Sequence, residues 1–261
     1  MGITAPIVVV TDLDGTLLDH DTYEPGPAAA KVAALTDAGV PVVCCSAKTR
    51  AEQQVHRRAL GLTGRFVIEN GAAVHDDTGP LQVLGLPYDE VRDRLSQASA
   101  GLGVTLRGFG DMDVDEVADR TGLSAQAAAR ARERHHTEPF VVVDDRVDEP
   151  TLRDALGAVD LGLQRGARFW TASGHHDKGA AVAVLRELFT VDHGERPLIY
   201  GLGDTYNDAA MLAAVDVAML VQRPDGTWAD LDVANVNHVD GIGPLGWIRA
   251  ADTILATLTA A

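Results

Sequence analysis

Basic residues are scarce in this chain. Lys and Arg total 22 against 38 Asp and Glu, a formal charge of −16. A protein that binds nucleic acid neutralises backbone phosphates with clustered cations, so this balance argues against nucleic acid as a partner. A small anionic substrate stays open, because a metal ion or a few basic residues can reverse the field locally. Cysteine is as sparse. The only two, Cys44 and Cys45, are adjacent in an apolar run, a poor arrangement for a structural bridge. Reduced, buried thiols and a cytoplasmic location are expected. No apolar run approaches the ~20 residues that span a bilayer, and residues 1–10 carry no basic leader with a cleavage site, so no membrane partner is expected. Pro6 also breaks the small-hydroxyl position of a myristoylation motif. Repeats of fixed period and low-complexity tracts are missing, beyond alanine-rich helix surfaces.

What is present suits a globular enzyme. Hydrophobic residues make up 46% of 261, enough for one large domain or a core with a second one inserted. Residues 7–11 form a β-branched run closed by an acidic, glycine-containing turn, the pattern of a buried parallel strand that ends in a functional loop. Residues 28–38 read as an alanine-rich helix with Leu35 on its apolar face and Gly39 as its stop. A second buried strand at 40–45 and a second helix at 51–60 follow. This alternation implies right-handed crossovers and an α/β fold with a Rossmann-like, doubly wound parallel sheet. The turn Glu69-Asn70-Gly71 suggests a hairpin between 65–68 and 72–74. From about 87 to 165 the character changes: acidic helices at 88–98 and 113–121 alternate with short strands at 103–107 and 139–143. Core-type strands resume at 197–204 and 217–220. The expected organisation is a catalytic core of residues 1–84 and 169–261 with an inserted α/β cap, residues 85–168.

Four separated segments carry the chemistry. Asp12 and Asp14 flank Leu13 at the end of the first strand, where open α/β sheets bind ligands. Residues two apart in extended chain point the same way, and two facing carboxylates call for a hard divalent cation bound by oxygens. Asp12 could attack phosphorus while Asp14 protonates the leaving alkoxide and later deprotonates water. Taken alone, the run also reads as an Asx turn. Ser46, Lys48, Thr49 and Arg50 end the second strand at a helix start, a suitable place for phosphate, with Thr49 and Glu52 positioned for a capping box. Lys178 precedes a helix at 180–189 and could neutralise a nucleophile and phosphoryl oxygens; alone it reads as a surface charge. The pairs His175-His176 and His135-His136 do not suggest zinc, because sequence neighbours diverge on a strand. Finally, Gly203-Asp204-Thr205-Tyr206-Asn207-Asp208 follows another buried strand, with Asp204 as a metal ligand and Asp208 to hold a metal-bound water or orient Lys178.

The order Asp-x-Asp-Gly-Thr, Ser, Lys, Gly-Asp-x-x-Asn-Asp resembles the haloacid dehalogenase superfamily over the whole chain. That resemblance implies Asp12 as nucleophile, Asp14 as general acid/base, and Ser46 and Lys178 as phosphate holders. It implies Mg2+ held by Asp12, Asp14 (through its backbone carbonyl) and Asp204, with Asp208 beside it. Finer strings are similar to the mannosyl-3-phosphoglycerate phosphatase family: Ser46-Ala47-Lys48-Thr49-Arg50-Ala51-Glu52, Glu69-Asn70-Gly71, Gly108-Phe109-Gly110-Asp111-Met112, Thr137-Glu138-Pro139-Phe140, Arg168-Phe169-Trp170 and Gly243-Pro244-Leu245-Gly246-Trp247. Departures from the pattern are Ala47, where serine is common, and the histidine pair before Asp177. The implied partner is a small phosphorylated sugar acid, and the implied setting is the synthesis of mannosylglycerate, a compatible solute. Lys48 and Arg50, with Arg134 and Arg107 from the cap, could pair with a glycerate carboxylate. Glu69, Asn70 and Asp111 could accept hexose hydroxyl hydrogen bonds, with Asp111 also readable as a cap of the turn marked by Gly108 and Gly110; Asn207 is a further candidate for substrate binding. Rival readings are a phosphatase of sucrose, trehalose or hexose phosphates, a phosphomannomutase, and a receiver-like phosphoacceptor switch. The insertion and the Asp204–Asp208 segment weigh against a receiver, a single domain of ~100–150 residues.

Overall fold

A computed structural model describes residues 5–143, 147–166 and 168–259. The chain first runs β1 (Ile7–Thr11), α1 (Ala28–Asp37), β2 (Val42–Cys44), α2 (Arg50–Ala59), β3 (Phe66–Ile68), β4 (Ala73–His75) and β5 (Pro80–Val83). Next come α3 (Tyr88–Leu102), β6 (Leu106–Gly108), α4 (Val114–Thr121), α5 (Ala125–Ala131), β7 (Thr137–Val142), α6 (Glu149–Gly157), β8 (Gly162–Arg165) and β9 (Trp170–Ser173). The last part adds α7 (Lys178–His193), β10 (Leu198–Gly203), α8 (Ala209–Ala214), β11 (Val217–Gln222), β12 (Asn237–Ile242) and α9 (Pro244–Thr259). Two compact units result: Met1–Ala47, Val55–Val83 and Asp177–Ala261 form one, and Lys48–Gln54 with Leu84–His176 the other.

The first unit is built on a five-stranded sheet in the order β12-β11-β10-β1-β2, every neighbouring pair parallel. Parallel strands covered on both sides must be apolar at every position, which is why β1 and β10 read as continuous hydrophobic runs. Val9, Val42, Cys44, Tyr200, Leu202 and Met219 pack against Val32 and Leu35 of α1 and Trp247, Ala250 and Ile254 of α9. The alternate residues Val8, Val10, Val43, Ile199 and Leu220 are buried as well, and α8 lies against β10 and β11 with α7 beside it. This is the α/β, doubly wound parallel arrangement expected. β12 was not expected: its Asn237, His238 and Asp240 are polar, as an exposed edge strand allows. The hairpin β3–β4 forms in antiparallel register, and β5 adds a third strand whose four residues are all exposed.

The second unit has an antiparallel sheet in the order β6-β7-β9-β8. Phe140 points to one face, among Val91 and Leu95 of α3 and Leu152 and Leu156 of α6. Its neighbour Val141 faces the other way, toward Met112, Val117 and Ala128 around α4 and α5. Because Trp170–Ser173 pairs with Thr137–Phe140, residues 169–176 belong here. The expected division after residue 168 therefore shifts to 176, and Lys48–Gln54 also joins this unit. The outermost residues of the expected core, 1–4 and 260–261, lie outside the described residues. Truncating the fully buried Phe140 to alanine should cost about 3–5 kcal/mol. Hydrogen exchange should then accelerate at the amides of β6, β7 and β9 while those of β1 and β10 keep their protection; equal loss in both sheets would contradict two separate cores.

Candidate active site

β1 and β10 lie side by side, but β1 continues to β2 on one flank and β10 to β11 on the other. At such a reversal of strand order a crevice opens beyond the carboxyl ends. Asp12 follows β1 directly and Asp204 follows β10. The Asp12 N–H donates to the Leu202 carbonyl at 2.9 Å, which seats the first loop on β10. Lys178, the first residue of α7, brings its Nζ to 2.6 Å from Asp12 Oδ1 and 2.7 Å from Asp208 Oδ1. Burial alone would lower the lysine's pKa; the two carboxylates outweigh it and hold the ammonium well above its ordinary value. The second oxygen of Asp208 accepts the N–H groups of Asp204 and Thr205 at 3.0 and 3.2 Å. Asp208 thus holds Lys178 and its own loop. Asp204 Oδ1 accepts the Thr16 hydroxyl at 3.0 Å.

Carboxylates outnumber cations here, and most are buried, which raises their proton affinity. Burial pushes Asp12 up to about 7, against the pull of Lys178 and with Asp208 and Asp14 adding to the rise. Burial likewise pushes Asp204 up to about 8, reinforced by Asp208 and Asp12. One ligand oxygen each from Asp12, Asp204 and Asp208 can be chosen so that all lie within 4.8 Å of one another. An all-oxygen, anionic donor set of this kind fits a hard divalent cation, whose charge would relieve the repulsion that one lysine leaves. Half-buried Asp14 stands outside that group of three, so the expectation that it is a metal ligand does not extend to its carboxylate.

Ser46 follows β2 with 1% of its surface exposed. Its N–H donates to Val67 C=O at 3.2 Å, and its own C=O accepts from Asn70 N–H at 3.0 Å. Glu69, Asn70 and Gly71 take φ values of +48°, +58° and +97°, three successive left-handed residues. Such conformations are held only by surrounding structure and concentrate at functional sites. Here the reason is visible: a Cβ on Gly71 would stand 2.0 Å from the Asp177 carbonyl oxygen, so the turn braces the loop after β2 against the start of α7. Glu69 and Asn70 are both buried.

The other expected binding residues are distributed. Lys48 and Arg50 flank Thr49, whose hydroxyl accepts from Glu52 N–H at 3.1 Å while Glu52 accepts from Thr49 N–H at 2.8 Å, the capping box read from the sequence. Arg134 donates to Ala131 C=O and Thr137 Oγ1 and lies 4.0 Å from Glu52. Asp111 is held inside the second unit, accepting Gly108 N–H at 2.9 Å and Arg92 at 2.7 Å. Those bonds outweigh its partial burial and hold its pKa low. Arg107 is paired with Glu116. Asp111 thus caps the Gly108 turn and pairs with Arg92. Asn207 is exposed beside Thr205. Sequence reading missed Thr16 as a partner of Asp204, although it closes the first motif. It also missed buried Glu138, which accepts from Tyr88, Arg92 and Gly110 at 2.6, 3.2 and 2.8 Å.

A profile of haloacid dehalogenase-like hydrolases matches residues 9–149. A curated relative from Methanococcoides burtonii, named glucosyl-3-phosphoglycerate/mannosyl-3-phosphoglycerate phosphatase, is 34% identical over 259 residues, 93% of this chain and 95% of the relative. The chain belongs to the haloacid dehalogenase-like hydrolase family. A relative of the same name from Persephonella marina is 32% identical over 95% of this chain and 97% of its own. Family and relatives make the chain a phosphoric monoester hydrolase. Solved structures share the fold. A Thermoplasma acidophilum protein superposes with a TM-score of 0.70 at 17% identity, covering 96% of this chain and 98% of that one. A haloalkanoate-superfamily phosphatase from Bacteroides thetaiotaomicron gives 0.69 at 16% identity, covering 95% of each.

In this family member, replacing Lys178 with methionine should leave two buried carboxylates unpaired and cost about 3–5 kcal/mol. Without the ammonium that pulls it down, the folded-state pKa of Asp12, already raised by burial, moves further above the unfolded value. The folded state then binds more protons, and stability increases as the pH falls. Thermal unfolding of K178M without metal should show a melting temperature that climbs from pH 8 to pH 6, and a flat or opposite trend would refute the pairing.

Proposed function

We propose that the enzyme is a Mg2+-dependent phosphatase that hydrolyses mannosyl-3-phosphoglycerate, glucosyl-3-phosphoglycerate or both, through an aspartyl-phosphate on Asp12. The observation that carries the chemistry is the buried Asp12–Lys178–Asp208 chain beside Asp204 at the strand-order reversal. The names of two relatives, aligned through both units rather than the core alone, support the substrate. In this reading the first unit is the catalytic core and the second a cap that selects substrate.

Lys178 engages Asp12 Oδ1, which leaves Oδ2 to attack phosphorus. The new O–P bond forms as the bond from phosphorus to the glycerate oxygen breaks, and Asp14 gives that oxygen its proton. Lys178 and Ser46 hold the phosphoryl oxygens through the transfer. Asp14 then takes a proton from water, whose oxygen displaces Asp12 and releases inorganic phosphate. Mg2+, held by Asp12, Asp204 and the Asp14 carbonyl, would supply positive charge against the transferring group. Lys48, Arg50 and Arg134 are the cations offered to the carboxylate, and Glu69, Asn70 and Asn207 the polar groups offered to the hexose. Asp111 and Arg107, already paired, take no part. The cytoplasmic setting belongs to this proposal; Cys44 and Cys45 support it, buried and free with pKa values pushed up to about 12 by burial.

Phosphate release across mannosyl- and glucosyl-3-phosphoglycerate, sucrose phosphate and simple hexose phosphates tests the substrate. The two glycerate esters should exceed the others by at least tenfold in kcat/KM, and preference for a simple sugar phosphate would overturn the assignment. Asp12→Asn should reduce turnover by ~10³-fold or more while the protein folds, as expected for loss of a covalent nucleophile. Chelation should abolish activity and Mg2+ restore it. Since Asp12 and Asp204 hold protons up to about 7 and 8, the cation must displace them, so its apparent affinity should weaken from pH 9 to pH 6 with protons released on binding.

A further inference from the structure

Among the buried groups that this mechanism does not use, one chain of hydrogen bonds ends on the nucleophile's own peptide. Trp247 in the first turn of α9 has no exposed surface. Its indole Nε1–H donates to Thr11 Oγ1 at 3.0 Å, and the Thr11 hydroxyl donates to the Asp12 carbonyl oxygen at 2.8 Å. An indole nitrogen can only donate. Thr11 Oγ1 must therefore accept from it, and the single hydroxyl proton is left pointing at Asp12. With the Asp12 N–H already given to Leu202, both polar groups of the Asp12 main chain are pinned. The turn that leads into α9 also lies close to the loop. Trp247 N–H donates to Gly243 C=O at 3.0 Å. Gly243 has φ +50°, and a Cβ there would lie 3.4 Å from the Gly15 carbonyl oxygen and 3.8 Å from that of Leu18.

We propose that Trp247 is a positioning residue for catalysis: through the Thr11 hydroxyl it fixes the peptide of Asp12, and with Gly243 it holds the loop 12–18 in its reactive shape. The late Gly243-to-Trp247 string thus acts in the reaction without touching substrate. Its effect falls on attack geometry, where small displacements are costly, and not on substrate binding. The proposal rests on Asp12 being the nucleophile, and its test separates the two claims.

Steady-state kinetics with p-nitrophenyl phosphate and Mg2+ avoid any dependence on the sugar. Trp247→Phe keeps the ring and removes the donor, so kcat should fall about tenfold, the worth of one neutral hydrogen bond, with KM within about twofold. Thr11→Val should do the same, and Thr11→Ser, which keeps the hydroxyl, should recover kcat relative to Thr11→Val. The double variant Trp247→Phe/Thr11→Val should be no slower than the slower single, since both remove one relay. Loss of thermal stability with unchanged kcat, or effects that multiply in the double variant, would overturn the proposal. If Trp247→Phe fails to fold, the Thr11→Val and Thr11→Ser pair decides alone. An active Asp12→Asn would remove the nucleophile reading itself, whereas an inactive Asp12→Asn beside a fully active Trp247→Phe would remove only the relay.

Discussion

A lysine with almost no contact with water, fixed between two carboxylates, is the constraint on which the first unit is organised. Lys178 neutralises only one of the negative charges gathered at Asp12, Asp204 and Asp208. Taking such groups out of water is expensive, and a single ion pair does not repay it unless further hydrogen bonds complete the set. The chain supplies them: Asp208 holds two main-chain N–H groups, Asp204 a hydroxyl, and the Asp12 backbone is bonded to Leu202. The charge left over is what makes the place chemically useful, since proton affinity held high by burial is affinity available to a cation.

No local segment could assemble this. The residues come from positions 12, 46, 178, 204 and 208, and only a parallel sheet ordered β12-β11-β10-β1-β2 brings the ends of β1, β2 and β10 together. The apolar stability of the sheet therefore serves the site directly. The helix that delivers Lys178 is preceded by Asp177, whose side chain caps it by accepting from Ala180 N–H at 2.8 Å. The lysine's backbone is thereby set before its side chain reaches across.

How much of this could be read beforehand follows from the same physics. β1 and β10 were legible because both of their faces are buried, so every position must be apolar. β12 and β5 were not, because one is a polar edge and the other is exposed along its whole length. Residues 169–176 were expected in the core, and only the antiparallel pairing of Trp170–Ser173 with β7 assigns them to the second unit. At the site, strand-end aspartates in the right order announced themselves. The partners that orient them did not: Thr16 meets Asp204 across 188 residues and Trp247 meets Thr11 across 236. Arg92 was equally illegible as the partner of Asp111: it lies on a helix earlier in the chain, and only the fold brings it to that carboxylate at 2.7 Å.

The turn at Glu69–Gly71 shows how strain and preorganisation are linked here. A left-handed conformation costs roughly 1–3 kcal/mol at each residue other than glycine, and two such residues stand in a row. A relaxed turn would move the Asn70 N–H away from Ser46 and open space beside Asp177. Ser46 and Lys178 would then keep their identities and lose their spacing. In the proposed transfer to Asp12, that spacing sets the geometry of attack, where small displacements are costly. The strained backbone is therefore as much a part of the site as the side chains it aligns, and glycine at 71, where any Cβ would collide with the start of α7, is the residue that permits both.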